Sequence, residues 1–120
     1  MAIEFLKHSI LNSEYNNGVL PKEGKEVIVS VTGNVSVPRT DQGNLYIDLH
    51  FVLGENEAKP VLVVNTRTEF SFTEKKDSEY EIVQEKCVPE AQKLLERDVN
   101  RILKSYGEEE LKFPNQGKND

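Results

Sequence analysis

Residues 85 to 98 read EKCVPEAQKLLERD, and the only cysteine of the chain, Cys87, stands two residues before Pro89 at the front of a helical pattern. A thiol in that position could act as a nucleophile. It would need a depressed pKa, which a helix N-terminus helps to supply, and a general base such as histidine within reach. The chain offers His8 and His50, both in predicted strands, and no sequence signature ties either one to Cys87. The sequence therefore favours a small packed residue over a Cys87-dependent enzyme, and no catalytic residue is assigned.

Other chemistry has less support. Asp48 and His50 lie two apart on one predicted strand and so share a face, but no third ligand accompanies them. CxxC, HxxxH and HExxH spacings are absent, so no metal site is assigned. Neither GxGxxG nor GxxxxGK[ST] occurs, and no nucleotide or other cofactor is expected. The run Glu108 to Glu110 follows a predicted helix end, where negative charge is slightly unfavourable, so these carboxylates should be solvated or paired. Phe70, Phe72 and Tyr80 form the one aromatic cluster beyond the helical part, a candidate rim for an apolar groove that would hold polypeptide.

Composition narrows the class of partner. The 120 residues carry 15 Lys plus Arg against 21 Asp plus Glu, a net charge of −6, and neither half of the chain is basic. Nucleic-acid binding draws on a positive surface, so it is not expected here. A lone cysteine cannot form an internal disulfide, and MAIEFLKHSI lacks the features of a secretory signal. No apolar run approaches the roughly 18 residues that span a bilayer. The expectation is a cytoplasmic protein without membrane insertion.

The elements that must position these residues are legible as periodicities. KEVIVSVTGNVSV, residues 25 to 37, alternates valine with small polar residues and predicts a half-buried strand, with Gly33 marking a bulge or a close approach. LYIDLHFVL places Leu45, Ile47, Leu49, Phe51 and Leu53 on one face, and in VLVVNTRTEFSF Leu62, Val64, Phe70 and Phe72 share a parity. Short turns join these three as an antiparallel meander. AIEFLKHSILNSEY predicts a long first strand that must kink or bulge, because its apolar residues change parity. NNGVLPKEG reads as a loop, and TEKKDSEYEIVQEK as a connection, in part extended around YEIV. From Pro89 to Gly107 the apolar positions Val88, Ala91, Leu95, Val99, Ile102 and Tyr106 predict one long helix. Leu111 and Phe113 should anchor the segment that follows.

The fold class that results is α+β, a four-stranded antiparallel sheet followed by one long helix packed on it. Residues 1–114 form a single domain and residues 115–120 a flexible C-terminal tail. LYIDLHFVLGENEAKPVLVVNTRTEFSF and CVPEAQKLLERDVNRILKSYGEEELKFPN resemble the protein-export chaperone SecB and its relatives, with Pro89, Ala91, Gly107 and Pro114 as the best anchors. The similarity extends to small uncharacterised SecB-like proteins of Gram-positive cocci. It implies a homo-oligomer, a dimer first and a tetramer second, that holds unfolded polypeptide or a protein client in apolar grooves. The sequence departs from the family after Pro114, where no second helix or basic tail follows, and at Val63 and Val64, near where the family docks its motor ATPase through an acid. The function expected is non-catalytic polypeptide or protein binding in a chaperone or adaptor role; the alternative is a structural subunit of a larger assembly.

Overall fold

A computed structural model describes residues 3–16, 28–56 and 59–113. The predicted loop at residues 16–24 lies almost wholly outside the described residues, as do Lys25 to Val27 and the tail at 115–120. Four strands, β1 (Ile3–Tyr15), β2 (Ile28–Ser36), β3 (Gly43–Asn56) and β4 (Lys59–Phe72), precede a 3₁₀ turn at Lys75–Ser78 and the helices α1 (Tyr80–Lys86) and α2 (Val88–Ser105). All strand pairs are antiparallel, in the order β1-β4-β3-β2. The meander holds for β2, β3 and β4. Strand β1 is laid beside β4, which gives the sheet a Greek-key order.

Alternation decides which face is buried. Leu45 pairs with Phe70, Phe51 with Val64 and Leu53 with Leu62, and these residues lie at 3% exposure or less beneath the helices. Each such side chain contributes about 1.5–3 kcal/mol of burial. The opposite face is polar, carrying Tyr46, Asp48 and His50 beside Asn65, Arg67 and Glu69.

Strand β1 bulges as its parity change requires. Its register with β4 shifts between Phe5 and Lys7 and again between Ile10 and Asn12, leaving Leu6 and Leu11 unpaired. The bulges do not turn every apolar side chain inward: Phe5, Leu6, Ile10 and Leu11 remain about half exposed, because β1 is a sheet edge.

The half-buried strand expected at β2 is more open than its pattern implied. Val31 and Val35 share the helix-side face with Phe51 and Ile47 yet are 37% and 39% exposed. The reason is placement, since α2 packs over β1, β4 and β3. Gly33 marks a close approach rather than a bulge. The β2–β3 register is unbroken there, and a Cβ on Gly33 would lie 2.7 Å from Leu49 Cδ2 and 3.1 Å from the Asp48 carbonyl.

The connection expected at YEIV is a helix, not an extended segment. Val83, Cys87, Ala91, Leu95, Val99 and Leu103 are all buried at a spacing of four, one stripe through both helices. Cys87 N donates to Val83 O at 2.9 Å and Ala91 N to Cys87 O at 3.0 Å, so helical bonding carries across the junction. Pro89, which has no N–H to donate, accounts for the break. At the far end Gly107 adopts φ +83°, with Gly107 N bonded to Lys104 O and Glu108 N to Leu103 O. This is a Schellman cap, and it turns the chain back along α2. Leu103, rather than the exposed Tyr106, completes the buried stripe.

Candidate functional site

Cys87 is fully buried in the stripe between helices and sheet. Burial pushes its thiol up to about 11, so the thiolate is scarce at neutral pH. The N-terminus that was to activate it is also not free, because α1 runs directly into α2 and the amide of Ala91 is bonded to the Cys87 carbonyl. Neither histidine serves it. His8 has both ring nitrogens engaged elsewhere, and His50 lies on the opposite face of the sheet bonded to Asn65 Oδ1 at 2.6 Å. The alternative of Cys87 as a nucleophile thus has no geometric basis, and Cys87 is a packing residue.

His8 belongs to an arrangement that the sequence did not reveal. Its Nε2 lies 2.6 Å from Asp98 Oδ2 and its Nδ1 2.8 Å from Thr68 Oγ1. The His8 and Asp98 side chains are only 6% and 5% exposed. A carboxylate only accepts, so Nε2–H donates to Asp98, while the Thr68 hydroxyl can donate to Nδ1 or accept from it. Hydroxyl, imidazole and carboxylate in that order resemble an acyl-transfer triad. Thr68, however, is fully buried and does not line any of the hollows found among the described residues. The cluster instead ties edge strand β1 to β4 and α2. Its one sequence signal was Asp98, a charged residue three positions after Leu95 and four before Ile102 within the apolar stripe.

Asp48 and His50 do share the polar sheet face, beside an open hollow of about 360 Å³. Asp48 is held bidentate by Arg67 at 2.7 and 2.9 Å, and Asn65 links His50 to Asn12. These groups satisfy one another, and among the described residues no three His, Cys, Asp or Glu side chains gather as metal ligands. The acidic run is partly paired, as expected: Glu108 accepts from Tyr15 OH at 2.6 Å, and Glu110 lies 3.7 Å from Lys104 Nζ.

The predicted aromatic rim divides. Phe70 and Phe72 are 3% and 1% exposed, part of the core beneath the helices and absent from the surface of the chain; Phe5 closes over Phe70 edge-on at 5.9 Å. Tyr80 is 74% exposed at the start of α1. Parity explains the split, because the same alternation that builds β4 turns Phe70 and Phe72 inward. An exposed channel of mixed apolar and polar lining lies elsewhere, between β2 and the helices. Val31, Gly33 and Val35 form its floor with Ile47 and Leu49, Gln84, Val88 and Gln92 form its helical wall, and its volume is about 180 Å³. A narrow crevice of about 10 Å³ beside Leu95, Glu96 and Phe113 adjoins it at Val31 and Gln92. Burial raises the Glu96 carboxyl above its ordinary value, so this wall is partly desolvated. Tyr80 stands one turn before Gln84 on the same helix flank.

Among the described residues no helix is long and apolar enough to cross a membrane. No protein-family model matches the sequence, and no curated protein matches it. A solved structure does: the Rv1957 SecB-like chaperone of Mycobacterium tuberculosis, in complex with a ChAD peptide from the Rv1956 HigA1 antitoxin. The TM-score is 0.66 at 10% sequence identity, over 99% of this chain and 94% of that one. At that identity the likeness is one of fold, and the chain has the SecB-like α+β fold of four antiparallel strands followed by a long helix.

Proposed function

We propose that this protein is a non-catalytic, cytoplasmic polypeptide-binding protein, chaperone-like or adaptor-like, that holds an extended client segment in the channel between β2 and the α1–α2 flank. The observation that carries the reading is the uncovered valine face of β2, with Val31 and Val35 more than a third exposed beside a partly desolvated helical wall. A soluble domain gains nothing in stability from apolar area left in water, and such area commonly marks an interaction site. The peptide seen with the structural neighbour supports the same class of ligand. Phe70 and Phe72 lie in the core and do not line the channel, and Tyr80 remains a rim residue.

The protein is proposed to act as a homo-oligomer, a dimer before a tetramer, through edge strand β1. Phe5, Leu6, Ile10 and Leu11 leave an apolar edge there that a second copy would cover. A role as a structural subunit would use the same edge without client binding.

Suppression of aggregation of a reduced, unfolded client protein tests the reading. The Val31→Asp/Val35→Asp variant changes exposed positions and should fold, yet lose at least tenfold in client affinity, since it places two charges in the apolar floor. Equal protection by the variant and the parent would refute the channel, and absence of client binding by the parent would favour the structural subunit.

A further inference from the structure

Strand β2, with the residue that follows it, is close to a palindrome. From Val29 to Val37 the sequence is VSVTGNVSV, with Gly33 at its centre. Counted outwards from Gly33, Thr32 answers Asn34, Val31 answers Val35, Ser30 answers Ser36 and Val29 answers Val37. Two antiparallel strands related by a two-fold axis through Gly33 set these same residues opposite one another, because a residue some places after Gly33 meets the residue as many places before it in the other copy. Side-chain parity survives the operation. Valine meets valine on the helix side of the sheet, and hydroxyl and amide groups meet on the polar side.

The edge is open to such pairing. β2 is the last strand in the order β1-β4-β3-β2, and among the described residues no strand adjoins its outer side. Sheet edges are commonly blunted by charge, proline or a bulge. Residues 28–36 hold no charged residue and no proline, and their register with β3 runs unbroken from Ile28 to Ser36. The two edges of the sheet differ in kind: β1 carries Glu4, Lys7 and Glu14 and two register breaks, and offers exposed apolar side chains, whereas β2 offers an uninterrupted row of backbone groups. Val31, Val35 and Val37 are each more than a third exposed beside that row.

We infer that β2 pairs antiparallel with β2 of a second copy of this chain, about a two-fold axis that passes through Gly33 normal to the sheet. A second copy is the occupant because a palindromic strand matches itself residue for residue, and in one register. Cross-strand valine pairs stabilise the contact on the helix side. With the axis normal to the sheet, both α1–α2 flanks stand on the same face, and the valine floors of the two channels merge into one trough between two walls. The paired stretch is about 30 Å long and, at a sheet thickness of about 10 Å, buries roughly 600 Å² in total, about half of what a stable dimer needs. The contact is therefore weak and depends on concentration. Two strong isologous contacts at opposite edges would build an open-ended ribbon, whereas a strong β1 pair with a weak β2 pair gives a dimer and then a tetramer as concentration rises. The pairing goes beyond the proposed polypeptide-binding function and does not depend on it.

Two double variants test the register. Both change only Thr32 and Asn34, which are exposed and point to the opposite side of the strand from the valines. Thr32→Lys/Asn34→Lys sets lysine opposite lysine twice across the axis, and Thr32→Lys/Asn34→Glu sets lysine opposite glutamate twice. The chain is acidic, so general repulsion between copies predicts tighter association for the lysine–lysine variant; pairing about Gly33 predicts the reverse. Sedimentation velocity of the full-length proteins over a wide concentration range at low ionic strength should show the lysine–lysine variant associating roughly tenfold more weakly than the lysine–glutamate variant. A second arm uses the unaltered protein and stands even if a variant does not fold: the alternate β2 amides that face away from β3 should exchange with solvent more slowly as concentration rises. Equal association of the two variants, or exchange at those amides that is the same at every concentration, overturns the pairing. Exchange slowed only when an unfolded client is added assigns the edge to the client and likewise overturns it. None of these results removes polypeptide binding, which is read from aggregation suppression by the same proteins, and loss of that activity with the β2 pair intact overturns the function alone.

Discussion

Replacing Asp98 by alanine should be among the most damaging single changes in this chain, although Asp98 touches no proposed ligand. The carboxylate is 5% exposed and accepts from His8 Nε2 at 2.6 Å and from Arg97 Nη2 at 3.2 Å. Its removal leaves the His8 imidazole buried with an unpartnered N–H. Breaking a buried pair from one side costs about 3–5 kcal/mol. In a domain of this size that corresponds to roughly 12–20 °C in Tm. Removing both partners is different: His8→Leu with Asp98→Leu eliminates both desolvated polar groups, and only the Thr68 hydroxyl is left to find another acceptor, at a cost of about 1 kcal/mol. Urea denaturation of the parent, His8→Leu, Asp98→Leu and the double variant, at one protein concentration, closes the cycle. A coupling energy of about 2 kcal/mol or more is expected, with the double variant more stable than Asp98→Ala. Loss of under 1 kcal/mol in Asp98→Ala, or simple additivity, would refute the view that this cluster fastens β1 to the helix.

Two further outcomes follow from the same geometry. Cys87 should react with a thiol reagent at pH 8 many times more slowly in the native protein than in urea, and because its folded pKa is about 11 against an ordinary 9, the unfolded state loses its proton first as pH rises; the stability that Cys87 contributes is thus fully present below pH 9 and declines towards pH 11, and Cys87→Ala should flatten that decline in a chemical-denaturation series. Gly107→Ala meets no atom within 4 Å but must hold φ at +83°, so it should cost about 1 kcal/mol from backbone conformation alone, measured as a shift in the urea midpoint without a change in slope.

The sheet was legible where alternation was undisturbed. β3 and β4 announced both faces through Leu45 to Leu53 and Leu62 to Phe72, and the parity change in β1 required the bulges that occur at Leu6 and Leu11. What alternation cannot convey is which strand lies at an edge: β2 reads as half-buried because its valines alternate, yet the helices pass beside it. The extra helix at Tyr80–Lys86 was hidden by charge, since only Val83 of that segment is buried and its partner in the stripe, Cys87, lies just past the segment's end. Site residues suffered from the same confusion of type with position. Phe70 and Phe72 looked like a rim because they are aromatic, and parity sent them inward. Gln84 and Gln92 carried no signal of their own in the sequence, and the offset of the helices places them along the channel.

Polypeptide binding in the channel is tested most directly by where a client chain touches the protein. Backbone amide shifts recorded during titration with an unfolded polypeptide should move at Val31, Val35, Gln84 and Gln92 and leave the polar sheet face at His50 and Asn65 unchanged. Shifts concentrated at His50 and Asn65, or none at saturating client, would contradict it.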